Sequence, residues 1–140
     1  MTIRQAIGHI TVTTRGRGLH EMSQAVSGWL AAEGVRLGLL TLFCRHTSCS
    51  LLIQENADPD VRTDLEAYFA RLAPEGAGYI HDSEGPDDMP AHIRSALTAV
   101  NLSIPVEAGR LTLGMWQGIY LFEHRARPHR REIVLHFLGE

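Results

Sequence analysis

The chain has 140 residues, 44% of them apolar and 21% charged, with a formal net charge of −3 when the histidines are neutral. That length and balance describe one globular domain, able to bury roughly two thirds of its unfolded surface without a disulfide or metal staple. They exclude a disordered chain and leave no electrostatic footprint for nucleic acid.

Residues 3–13 read as a strand, with Ile10 and Val12 as its clearest apolar positions. Gly16-Arg17-Gly18 breaks it. Leu19, Met22, Val26, Trp29 and Leu30 then recur at helical spacing, and Gly34 stops that helix. Residues 37–44 form a continuous apolar strand, expected to be buried on both faces. His46-Thr47-Ser48 interrupts it, and residues 49–53 resume as a strand. Asp58-Pro59 opens a second helix with Val61, Leu65, Tyr68, Phe69 and Leu72 as its apolar stripe. A polar segment, 78–90, leads to a short helix over about 89–100, with Asp88 as N-cap and Pro90 in its first turn. On that helix Ile93, Leu97 and Val100 are expected to face the core, with Arg94 nearer solvent. Four strands follow: 101–106, 110–115, 119–123 and 132–137. Helices and strands do not alternate cleanly. The expected fold is therefore α+β, a single compact domain over 1–140, with a mostly antiparallel or mixed sheet, two longer helices and one short one.

All 13 basic residues are arginine, so no lysine can form a Schiff base. Cys44 and Cys49 match neither a zinc knuckle nor a CxxC pair, and read as small buried residues of a reducing compartment. No secretory leader is visible at the N-terminus. The longest nearly apolar run, 35–44, is broken by Arg36, Gly38 and Thr41 and is too short to cross a bilayer. These features predict a cytoplasmic protein without membrane or nucleic-acid partners.

The chemistry concentrates between His46 and His92. Residues 81–92 hold two histidines and four acids. Four negative charges so close need a metal, a protonated histidine or an arginine from elsewhere among them. Pro86 and Pro90 stiffen the segment. His92 lies in the first turn of its helix, where the dipole favours the neutral imidazole that a metal ligand or general base requires. His46, at the strand break, must be paired or line a site. His46, His81 and His92 together would make an open zinc site, although no ligand pair shows the i, i+4 spacing of a His-Glu-x-x-His helix. Glu84, Asp87 and Asp88 would instead suit Mg²⁺. Glu84, Asp88 and Glu123 are the candidate catalytic carboxylates, Glu123 being equally an ion-pair partner. Trp116 and Gln117, between Gly114 and Gly118, are candidate pocket residues. The arginines at 125, 127, 130 and 131 read as a solvated basic turn that could attract an anion or pair with a neighbouring subunit.

Four stretches carry a resemblance: His46-Thr47-Ser48-Cys49-Ser50-Leu51 with residues 55–61 (Glu55 to Val61), Asp87-Asp88-Met89-Pro90-Ala91-His92-Ile93, residues 109–119 around Met115-Trp116-Gln117, and the closing Gly139-Glu140. In this order they resemble the YjbQ family, UPF0047. Cys49 and Met115 depart from the family's usual Ala and Thr. The resemblance implies a compact α+β homotrimer whose histidines correspond to His46, His81 and His92. Ser48, Asn56, Trp116 and Gln117 are then candidate substrate-binding groups around a divalent metal, Zn or Mg. Members are often called secondary thiamine-phosphate synthases. The implied reaction condenses a pyrimidine pyrophosphate with a thiazole phosphate. Metal-dependent hydrolysis and a non-catalytic, trimeric small-ligand or metal binder are the alternatives.

Overall fold

The structure, a computed structural model, describes residues 2–140. Eight strands and three helices follow in the order β1 (Arg4–Thr13), β2 (Gly18–Glu21), α1 (Ser23–Glu33), β3 (Gly38–Cys44), β4 (Cys49–Glu55), α2 (Pro59–Leu72), α3 (Asp88–Leu97), β5 (Asn101–Glu107), β6 (Arg110–Leu111), β7 (Gln117–Glu123) and β8 (Arg130–Gly139). The expected α+β fold is what forms, with every strand pair antiparallel. The strands make two sheets: five in the order β1-β8-β3-β5-β6 and three in the order β2-β7-β4.

The inner faces share one core. Leu40, Leu42, Ile133, Leu135 and Phe137 of the larger sheet meet Leu51, Ile119 and Leu121 of the smaller, and Met22, Val26 and Leu30 of α1 complete it. Residues alternate along each strand, so one face of each reaches this core. Gly8 of β1 gives α1 its seat, because a side chain there would collide with the Trp29 indole. The smaller sheet turns its other face to α2, with Phe69 edge-on to Phe122 at 5.4 Å. Helix α3 lies on β4, held by Ser95 Oγ donating to the Cys49 carbonyl (3.3 Å) and by a bridge between Leu51 and Ala99.

Four local expectations are corrected. Leu19 belongs to strand β2, not to the first helix, because β2 pairs with β7 from Gly18↔Glu123 to Glu21↔Tyr120. Strand β3 is covered on one face only: Leu40, Leu42 and Cys44 are buried, while Leu39 and Phe43 are 42% and 47% exposed. The strand at 110–115 stops at Leu111, beyond which it has no ladder partner. Helix α3 packs the opposite way: Asp88, Pro90, Ala91, Arg94 and Ser95 are buried while Leu97 and Val100 are exposed. Small Ala91 and Ser95 allow close approach to β4, and Arg94 is admitted because Nη1 donates to Glu66 Oε1 of α2 at 2.9 Å.

Candidate metal centre

Asp88 opens α3 and His92 follows one turn later, so both project from the same side of the helix. His81 comes from the preceding loop. His81, Asp88 and His92 each offer one ligand atom, and the three atoms lie within 4.8 Å of one another. Asp88 Oδ2 is 2.7 Å from His81 Nε2 and 3.2 Å from His92 Nε2. Asp88 is nearly fully buried, whereas the two imidazoles are partly open to solvent.

The surroundings fix each group. His92 Nδ1 donates to the Thr47 carbonyl at 3.1 Å. In the neutral ring this assigns the proton to Nδ1 and aims the Nε2 lone pair at the Asp88 carboxylate. A lone pair facing a carboxylate is stable only with a proton or a cation between them. Asp88 Oδ1 accepts from Arg125 Nη1 at 2.7 Å, which leaves Oδ2 to the histidines. Arg125 also donates to Asp87 Oδ2 (Nε, 2.9 Å) and to the Glu84 carbonyl (Nη2, 2.9 Å), tying the loop to the end of β7. Burial pushes the Asp87 and Asp88 carboxyls up, but hydrogen bonds from Arg125 to Asp87 and from His81 to Asp88 outweigh it, so both sit below the usual range. The Asp88 hydrogen bond raises His81 above its ordinary value.

The sequence candidates thus separate. His81, Asp88 and His92 come together, and Glu84 Oε2 stands 3.1 Å from His81 Nε2. His46 stands outside the cluster: its Nε2 accepts from the Glu132 N–H at 2.9 Å, so the lone pair a metal would need is already engaged. The oxygen set proposed for Mg²⁺ does not assemble either, because Arg125 and the Ala126 N–H occupy Asp87. Glu123 is fully buried and chelated by Arg131, with Thr14 Oγ1 donating to Oε1 at 2.8 Å. Burial pushes it up and these donors bring it below the usual range, so Glu123 is a fixed ion-pair partner. Ser48 Oγ accepts from Arg131 Nη2 at 2.9 Å.

Trp116, Gln117 and Asn56 lie elsewhere. The Asn56 N–H donates to the Trp116 carbonyl, and Gln117 Oε1 accepts from the Gly114 N–H, closing a turn. Glu55 pairs with Gln117 at one end of the β4–β7 ladder, and Cys49 pairs with Glu123 at the other. Six residue steps of about 3.4 Å put these ends roughly 20 Å apart. Beside the cluster, a cleft of about 450 Å³ opens between Tyr79, His81, Asp82, Pro86 and Met89. That is within the size range of small-ligand pockets.

Sequence reasoning missed the Thr47 carbonyl, which no side-chain pattern reveals, and Arg125, hidden in a basic run. It also missed a readable signal: Asp88 and His92 are an i, i+4 pair, masked because Asp88 reads as a cap. Asp87 is the cap residue, without a side-chain capping bond.

By donor chemistry, two imidazoles and one carboxylate, the set suits a zinc ion. The 2.7 Å and 3.2 Å contacts are hydrogen-bond distances, shorter than the about 3.3 Å between ligands on tetrahedral bonds of about 2.0 Å, so the groups would part slightly around an ion. A histidine whose second nitrogen donates to a carbonyl is the usual oriented ligand.

The profile described as "UPF0047 protein YjbQ-like" matches residues 8–140. The chain is 54% identical to the UPF0047 protein sll1880 of Synechocystis, over 99% of this chain and 95% of that one. It is 46% identical to the UPF0047 protein YjbQ of Salmonella typhimurium, over 94% and 96%. A crystal structure of a conserved yjbq/upf0047 family protein from Clostridium acetobutylicum superposes with a TM-score of 0.85 at 32% identity, covering 92% of this chain and 98% of that one. A YbjQ-like protein from Sulfolobus solfataricus shares the fold at a TM-score of 0.91 and 20% identity, covering 99% and 100%. With this fold and these relatives, the chain belongs to the UPF0047, or YjbQ-like, family.

Proposed function

We propose that His81, Asp88 and His92 form the metal site of an enzyme acting on a small phosphorylated substrate, with thiamine-phosphate-synthase-like condensation as its reaction. The observation that carries this reading is the aim of the cluster. His92 spends Nδ1–H on the Thr47 carbonyl, and His92 and His81 both direct Nε2 at one oxygen of Asp88. A divalent ion there supplies Lewis-acid charge to a phosphate group. Asp88 and the imidazoles would hold it, Arg125 keeps the carboxylate oriented, and Glu84, exposed beside His81, would exchange protons with solvent. In the condensation the thiazole nitrogen attacks the pyrimidine methylene carbon, and pyrophosphate departs as the C–O bond breaks.

The proposal includes a homotrimer. The outer face of the larger sheet carries Ile7, Leu39, Phe43 and Leu138, all exposed, and a second copy would cover them. Trp116, Gln117 and Asn56, at the opposite end of the β4–β7 ladder from Cys49 and Glu123, would then join the histidines of a neighbouring subunit. The test incubates purified protein with zinc, the pyrimidine pyrophosphate and the thiazole phosphate, and separates thiamine phosphate by chromatography. Product is expected from the wild type, with at least a hundredfold less from Asp88→Asn. No product from either protein at any zinc loading contradicts the condensation.

A further inference from the structure

A second chemical feature lies under the loop that supplies Thr47. Cys44 ends β3 and Cys49 begins β4, and their Sγ atoms are 3.4 Å apart. Both are free and buried, at 2% and 0% exposure. They belong to different sheets, so the five-residue step from one to the other crosses the sandwich. Hydrogen bonds tie the loop between them to three other parts of the molecule: β8, α3 and the end of β7. His46 Nε2 accepts from the Glu132 N–H, Thr47 O from His92 Nδ1, Ser48 Oγ from Arg131 Nη2, and Ser48 O from the His124 N–H.

We infer that Cys44 and Cys49 form a reversible disulfide on exposure to a peroxide, and that this modification resets the loop against the histidine cluster. The motivating geometry is the short sulfur–sulfur approach. A disulfide bond of about 2.05 Å requires the sulfurs to close by about 1.4 Å. The reaction balances with hydrogen peroxide as the oxidant. Cys44 thiolate attacks one peroxide oxygen: an S–O bond forms, the O–O bond breaks, and the departing hydroxide takes up the thiol's proton as water. Cys49 sulfur then attacks the sulfenic sulfur. The S–S bond forms, the S–O bond breaks, and the hydroxyl leaves as a second water with the Cys49 proton. Two thiols and one peroxide become one disulfide and two waters. The neighbouring thiol intercepts the sulfenic acid before a second peroxide can oxidise it further. The loop beside the sulfurs is open to solvent at Arg45 and Thr47, with His46 and Ser48 half-buried, so local opening of this loop would admit peroxide.

The test treats the full-length protein with a few-fold excess of hydrogen peroxide and counts free thiols in denaturant. Intact mass is measured alongside. The wild type should lose both thiols, lose the mass of two hydrogens, remain a single chain on non-reducing gels and recover fully with dithiothreitol. Cys49→Ala should instead accumulate a sulfenic acid at Cys44 that dimedone labels. Two thiols still titratable in the treated wild type, or conversion to sulfinic acid as fast as in Cys49→Ala, would overturn the proposal. The effect on the cluster rests on the metal-site reading and has its own readout. Oxidation should change the zinc Kd by about tenfold or more, the scale expected when a ligand's outer partner moves. A disulfide that forms without changing that Kd refutes the coupling. An absence of zinc binding in both states refutes the metal-site reading and leaves the thiol count to decide the disulfide.

Discussion

Glu123 illustrates how one residue type carries opposite meanings. A carboxylate at a strand end beside His124 and Arg125 can be a catalytic base. Its surroundings make it an anchor: Arg131 grips both oxygens, and Thr14 and two backbone N–H groups complete its shell. Burying this pair stabilises little by itself, but breaking it strands a charge. Arg131→Met should therefore lower the unfolding free energy by about 3–5 kcal/mol, measured by urea denaturation. A loss below about 1 kcal/mol, the range of exposed pairs, would show that the pair is not buried in solution. The same arithmetic separates His46 from His92. Both are polar residues near strand or helix ends, and the sequence treats them alike. Their partners distinguish them: His92 turns Nε2 to Asp88, whereas His46 Nε2 accepts from the Glu132 N–H, a contact that joins residues 86 positions apart.

At the scale of elements, periodicity gave most strands and all three helices, because alternation and the 3.6-residue repeat are local properties. It failed where a partner decides. Strand β2 is four residues long and exists through its ladder to β7. The apolar triplet Ile93, Leu97 and Val100 points to the wrong face of α3, because the buried ion pair between Arg94 and Glu66 joins two helices and leaves no local pattern. The packed face uses small residues, and this sets the position of the cluster. Ala91 is completely buried between Asp88 and His92. Ala91→Leu should overpack this contact at a cost of about 1–3 kcal/mol. It should also weaken zinc binding, because Asp88 and His92 shift with the helix. Calorimetric melting and a zinc titration check the two effects. An unchanged melting temperature with unchanged zinc affinity would mean that α3 is not seated on β4 as described.

For the molecule as a whole, the layering was legible only as a class. α+β with antiparallel pairing follows from the order of elements, but the division into two sheets does not, since it depends on which strands meet across more than a hundred residues, as β1 and β8 do. No helix among the described residues is long and apolar enough to cross a membrane. The proposed trimer contact is the apolar outer face of the larger sheet. Leu39, Phe43 and Leu138 stand on neighbouring strands, and Leu39 pairs directly with Leu138. Phe43→Glu should convert the proposed trimer to single chains, read as a threefold fall in mass by light scattering. A wild type that is already monomeric at assay concentrations would contradict the trimer.

A metal centre made of His81, Asp88 and His92, without His46, is tested by zinc affinity, measured by chelator competition on the wild type, His92→Ala and His46→Ala. Stoichiometric binding is expected of the wild type, with a loss of about a hundredfold or more in His92→Ala and binding by His46→Ala close to the wild type. Equal affinity in the wild type and His92→Ala, or a loss in His46→Ala as large as that in His92→Ala, would contradict it.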